Sequence, residues 1–166
     1  MDYAQIKRDV QEFKDIARSV GMLGYCFMGS LLLKCCLDDH RISCEVVKGY
    51  LIMHDCYWIL HVWNKIQIED KAHQIDVTYR VLNMPQQYTF TLTDKWESLI
   101  DTEEEQKDYD DIQETFTLYQ TRGAKAALVH LANNLNHAPQ WKMILDRLST
   151  LPTFKPVKKY RKILCV

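Results

Sequence analysis

Between Ile42 and Val81 the chain offers three runs rich in β-branched and aromatic residues, SCEVVKGYLIM, YWILHVWNKI and HQIDVTYRV. Two short polar clusters, His54-Asp55 and Glu69-Asp70-Lys71, separate them. Runs of this length bounded by turn residues are strand signals, and together they predict an antiparallel meander. Upstream, Ile6, Val10, Phe13 and Ile16 recur at steps of three and four among charged residues, which predicts an amphipathic helix over residues 3–18. Gly21 and Gly24 break that pattern. Met28, Leu31, Leu32 and Cys35 then share a second helical face, so a helix is expected to begin near Cys26, with that residue in its first turn, and to end before Asp38 and Asp39. Past Pro85 comes the acidic stretch DTEEEQKDYDD, read as a solvated helix face or loop, followed by helical periodicity in IQETFTLYQ, AALVHLANNL and QWKMILDRL, divided by Gly123 and Pro139.

The expectation is an α+β protein folded as one domain over residues 1–166: a core over 1–82 and a mainly helical extension over 83–166. A chain of 166 residues can bury one sizeable core, and 47% hydrophobic with 26% charged residues is a globular composition rather than a disordered one. A net charge of -1 gives no global attraction to nucleic acid; the local run Lys155, Lys158, Lys159, Arg161, Lys162 is too little to predict such a partner. The charged start MDYAQIKRDVQEF lacks the apolar core of a secretory signal and no apolar run reaches a membrane-spanning length. The reading is a soluble, cytoplasmic protein with no membrane partner. The six cysteines, two of them adjacent at Cys35 and Cys36, match no small secreted disulfide framework and are expected to be reduced.

Two polar residues interrupt the strand-like runs: His61 between Leu60 and Val62, and Asp76 between Ile75 and Val77. If the second and third runs form a hairpin centred between Ile68 and Glu69, His61 and Asp76 fall opposite one another, and a two-residue shift still leaves them diagonal neighbours on one face. A carboxylate on one imidazole nitrogen fixes the tautomer and stabilises the imidazolium, freeing the other nitrogen to exchange a proton with a nucleophile. Cys26 supplies a thiol at a helix N-terminus, where a nearby imidazolium lowers thiol pKa values, and its own N–H could donate to an oxyanion.

The blocks GYC at Gly24–Cys26 followed by Phe27, HVWN at His61–Asn64 and IDVTY at Ile75–Tyr79 resemble, in this order, the signature blocks of the transglutaminase-like superfamily, related in architecture to papain-type peptidases. VVKGYL resembles the strand that precedes the histidine block. The resemblance covers residues 20–82. It implies a nucleophile helix packed on a small antiparallel sheet, with Cys26 as nucleophile, His61 as base and Asp76 as the orienting acid, acting on a protein or peptide substrate bordered by Tyr25 and Trp63. It implies no cofactor and no metal. The family's usual glutamine or tryptophan upstream of the cysteine is missing from Val20–Tyr25, and Gln5 and Gln11 are the only upstream glutamines. The implied chemistry is acyl transfer from an amide, isopeptide or ester through a Cys26 thioester, with hydrolysis preferred to cross-linking. The alternatives are an inactive protein-binding module on the same scaffold and an acyl-CoA-dependent N-acetyltransferase.

Other combinations carry less. Cys36, His40 and Cys44 recur at steps of four beside Cys35 but fit no strong zinc spacing, so the three cysteines are read as core thiols. Ser30, after Gly29, has no nucleophile-elbow context and is placed on the polar face of its helix. His54, His73, His130 and His137 are read as surface or capping residues.

Overall fold

The computed structural model describes residues 1–22, 25–53, 57–78, 88–91, 103–134 and 138–164. Gly24, the His54-Asp55 cluster, Tyr79–Val81, Pro85 and His137, all used in the sequence reading, lie outside the described residues. The fold is α+β. Helix α1 spans Tyr3–Ser19 and α2 spans Cys26–Asp39. Strands β1 (Cys44–Met53), β2 (Tyr57–Ile68), β3 (Lys71–Ile75) and β4 (Tyr88–Thr91) form one antiparallel sheet in the order β3-β2-β1-β4. Helices α3 (Glu103–Arg122), α4 (Ala124–Asn134) and α5 (Ala138–Leu148) follow, then a 3₁₀ segment, Lys155–Lys159, and a short α6, Arg161–Leu164.

Local chemistry explains most boundaries. Asp2 caps α1, its side chain accepting the Gln5 N–H at 2.8 Å, which satisfies a donor that has no partner inside the helix. α2 continues through Asp38 and Asp39 rather than stopping before them. Lys34 pairs with Asp38 one turn on and Lys159 with Asp39, so both carboxylates are compensated in helical positions. The acidic stretch is helical from Glu103, and α3 breaks from α4 at Gly123, whose φ of 84° suits glycine. Pro139 does not divide helices: it lies in the first turn of α5, where its missing N–H costs no hydrogen bond.

The β2–β3 hairpin differs from expectation in register. Ile68 pairs with Lys71 and Asn64 with Ile75, so the turn is centred between Glu69 and Asp70. Both turn residues have positive φ, 50° and 60°, the pattern of a two-residue turn whose twist matches the strands. Asp76 therefore sits one residue beyond the end of β3 and is a diagonal neighbour of His61.

One apolar cluster runs through the molecule, with buried residues from both helices, the sheet and the C-terminal segments, among them Phe13, Leu31, Val62, Ile66, Leu128 and Phe154. Its aromatic centre joins chain ends: Phe13 lies 5.7 Å from Tyr25, 6.4 Å from Trp141 and 5.2 Å from Phe154, ring to ring. Asp9, buried at the edge of this cluster, accepts from Gln5 Nε2 and from the Thr153 backbone N–H, each at 2.7 Å. Among the described residues no helix is long and apolar enough to cross a membrane.

Candidate active site

Cys26 is the first residue of α2 and is half-buried. At this position backbone N–H groups have no intrahelical acceptor, and the N-cap residue, Tyr25, contributes no side-chain cap. The Tyr25 side chain turns inward instead: it is buried, its hydroxyl donates to the Val77 carbonyl at 3.2 Å, and its ring meets Trp141 edge-on at 6.3 Å.

β2 brings His61 to the helix end, and two contacts fix the strand against α2. Ser30 Oγ donates to the Val62 carbonyl at 3.3 Å, and Asn64 Nδ2 donates to the Ser30 carbonyl at 3.0 Å. Ser30 is thus fully buried and not on a polar face. α2 is apolar nearly all round between Phe27 and Leu33, and such a helix has no polar face on which to place it.

Asp76 reaches His61 because the chain folds over α2 just after β3. Gly29 makes this possible: a Cβ there would lie 2.7 Å from Val77 Cγ2, 3.2 Å from Tyr25 Cδ2 and 3.6 Å from Phe13 Cε1. With glycine, Val77 packs on the helix backbone, and Asp76 Oδ2 comes to 2.9 Å from His61 Nε2, while its Oδ1 accepts the Thr78 N–H at 2.8 Å. Cys26 is the second neighbour of the ring, raising the imidazole through hydrogen bonding and charge as Asp76 does. With Nε2 committed to Asp76, Nδ1 is the nitrogen left for exchange with Cys26 Sγ. The structure therefore brings together the three residues singled out in the sequence, Cys26, His61 and Asp76.

The electrostatics follow from this contact set. Burial opposes the charged form of His61, but hydrogen bonds and charge from Asp76 and Cys26 outweigh it and raise the imidazole to about 9. At neutral pH the ring is an imidazolium. Burial also opposes ionisation of Asp76, yet the His61 hydrogen bond and charge, the Thr78 N–H and the charge of Lys14 hold its carboxyl below the usual range.

Tyr25 and Trp63, the expected substrate contacts, are 3% and 2% exposed. In this structure they pack rather than face solvent: Tyr25 supports the start of α2, and the Trp63 ring lies nearly parallel to His61 with centroids 6.4 Å apart. The side-chain amides of Gln5 and Gln11 donate along α1 to Asp9 and Asp15.

The remaining titratable candidates separate cleanly from the site. Cys35, Cys36 and Cys44 are buried; desolvation pushes Cys35 and Cys44 up to about 12 and Cys36 well above an ordinary thiol. His40 Nε2 lies 3.1 Å from the Pro152 carbonyl, and no three His, Cys, Asp or Glu side chains among the described residues are grouped to hold a metal ion. His73 stacks on Tyr3 and His130 lies 3.8 Å from Glu114. The sequence reading gave no packing role to Gly29 or Asn64, which fit α2 against the segment after β3 and against β2. Glycine in a helix interior is disfavoured, and that cost was the one signal pointing to a close approach at Gly29. No family model, curated protein or solved structure matches the chain.

Proposed function

We propose that the protein is a thiol-dependent acyl-transfer enzyme that cleaves an amide, isopeptide or ester bond through a Cys26 thioester, with water as the preferred acceptor. The observation that carries this reading is the single chain of contacts Cys26–His61–Asp76 at the N-terminus of α2. The order of the three residues and the helix-then-sheet placement also agree with a transglutaminase-like or papain-like arrangement.

In the resting state His61 is cationic and is the counter-ion that a Cys26 thiolate requires. The sulfur attacks the substrate carbonyl carbon and forms a C–S bond. The developing oxyanion receives the Cys26 backbone N–H. His61 Nδ1 donates its proton to the leaving nitrogen as the C–N bond breaks, releasing an amine and leaving a thioester with neutral imidazole. Water then gives a proton to Nδ1 and attacks the thioester; the C–S bond breaks, an acid departs, and the thiolate–imidazolium pair is restored. Asp76 holds the ring orientation throughout and stabilises its charged form.

A generic acyl donor, p-nitrophenyl acetate, tests the reading. Intact-mass analysis of wild-type protein should reveal one transient acetyl group, mapped to Cys26, with none on Cys26→Ala and little on His61→Ala. Added hydroxylamine or glycine ethyl ester would then divide hydrolysis from transfer to an amine. A Cys26 that never acquires the acetyl group sinks the proposal and favours a binding module on the same scaffold, a reading fed by Gln5 and Gln11 being committed elsewhere.

A further inference from the structure

Tyr25 stands one residue before Cys26, and packing fixes its ring. Phe13 lies 5.7 Å away, Trp141 meets it edge-on at 6.3 Å, and its Cδ2 atom faces the bare backbone of Gly29. Held there, the hydroxyl donates to the Val77 carbonyl at 3.2 Å. That carbonyl belongs to the Val77–Thr78 peptide group, whose N–H donates to Asp76 Oδ1 at 2.8 Å. The C=O and N–H of a trans peptide point in opposite directions, so this one group spans the space between Tyr25 and Asp76. The second carboxylate oxygen, Oδ2, lies 2.9 Å from His61 Nε2. The bonds form one line: Tyr25 hydroxyl, Val77–Thr78 peptide, Asp76 carboxylate, His61 ring. Bonds in such a chain polarise one another, so a carbonyl that accepts a proton makes the N–H of the same peptide a stronger donor. Asp76 lies beyond the last ladder pair of β3, and this turn rather than the sheet holds its carboxylate.

We infer that Tyr25 is a positioning residue of the site, acting through Asp76: its hydroxyl anchors the Val77–Thr78 peptide, whose N–H holds the carboxylate against His61. This rests on the thiol acyl-transfer reading above. It also ties two parts of the site to one residue, since Tyr25 is the N-cap of the helix that Cys26 opens. A purely structural hydroxyl would satisfy a buried carbonyl and no more. Its loss would weaken the fold and leave the His61–Asp76 pair as it is.

NMR titration of the His61 ring, expected near 9 in the wild type, separates these roles without a substrate. Tyr25→Phe keeps the packed ring, and it keeps Cys26 and Lys14, the other charged groups acting on the pair. It should lower the His61 titration by about half a unit. Asp76→Asn should lower it by about two units, and adding Tyr25→Phe to that variant should change nothing further. Tyr160→Phe removes a buried hydroxyl that donates to the Cys35 carbonyl and to Asp39 at the far end of α2, and should leave His61 alone. A second measurement needs no substitution: the Thr78 amide of the wild type should be protected from hydrogen exchange. An unmoved His61 in Tyr25→Phe, an equal shift with and without the Asp76 carboxylate, an equal shift in Tyr160→Phe, or an unprotected Thr78 amide overturns the role of Tyr25 alone. A Cys26 that never takes the acetyl group overturns the acyl-transfer reading and this role with it.

Discussion

The two ends of α2 treat the same functional group differently. Its first residue, Cys26, is half-buried and meets an imidazole, whereas Cys35 and Cys36, more than two turns further along, are sealed in the core and pushed towards permanent protonation. Helix position is one cause: the N-terminus presents free N–H groups and favours negative charge. Neighbours account for the rest. β2 and the segment after β3 bring a charged pair to the first end, while the other end is packed in the apolar cluster. A thiol's chemistry here is set by what the sheet delivers to it.

The largest effect expected from this contrast is in labelling. In native protein at pH 7 under reducing conditions, Cys26 should be alkylated at least about a thousandfold faster than Cys35, Cys36 or Cys44, because the buried thiols react only through opening of a core worth several kcal/mol. Quantitative mass spectrometry checks this, and comparable rates at both ends would erase the contrast.

Stability against pH should separate the ends along a second axis. His61 binds its proton more tightly folded than unfolded, so its contribution is complete below about 6.5 and is lost as pH rises through about 9. The shift corresponds to about 3 kcal/mol. The buried thiols are also raised, from 9.0 to about 12 for Cys35 and Cys44, so their contribution is lost only above about 9. Urea unfolding should therefore weaken between pH 6.5 and 9 in wild type but stay nearly flat there in His61→Asn, with both proteins weakening above that range.

Gly29→Ala places a methyl against Val77, a short β-branched side chain with little room to yield. Thermal or urea unfolding should register a loss of about 1–3 kcal/mol, and Cys26 labelling should slow because Asp76 is displaced; unchanged labelling would detach Gly29 from the site. The smallest effect is at the hairpin. Replacing Glu69-Asp70 by Asn-Gly, residues that take positive φ readily, should stabilise by about 0.5–1 kcal/mol and leave labelling as it is.

What the residues made legible tracks how strong each local signal is. α1, the start of α2, the first two strand runs and the meeting of His61 with Asp76 were readable because periodicity and polar intrusions into strands are strong patterns, whereas the third run is strand only as far as Ile75 among the described residues. The hairpin register was not, because Glu69 and Asp70 carry no glycine or asparagine to announce their conformation. Ser30 was misplaced because a helix apolar on all sides offers no face to choose. Tyr25 looked like a wall of the site from its place beside Cys26, yet the turn into α2 points it at Trp141. The 3₁₀ segment and α6 are rich in lysine, with Pro156 among them, and give no helical period.

Asp9 ties the first helix to Thr153, a residue 144 positions away. The three candidate side chains all lie before residue 80, but the partner of the Asp9 carboxylate and the Trp141 and Phe154 rings that back Phe13 and Tyr25 come from the last third of the chain. The proposed site, confined to the first half, thus leans on packing from the second: a chain ending before residue 141 would keep Cys26, His61 and Asp76 but lose the rings that back Phe13 and Tyr25.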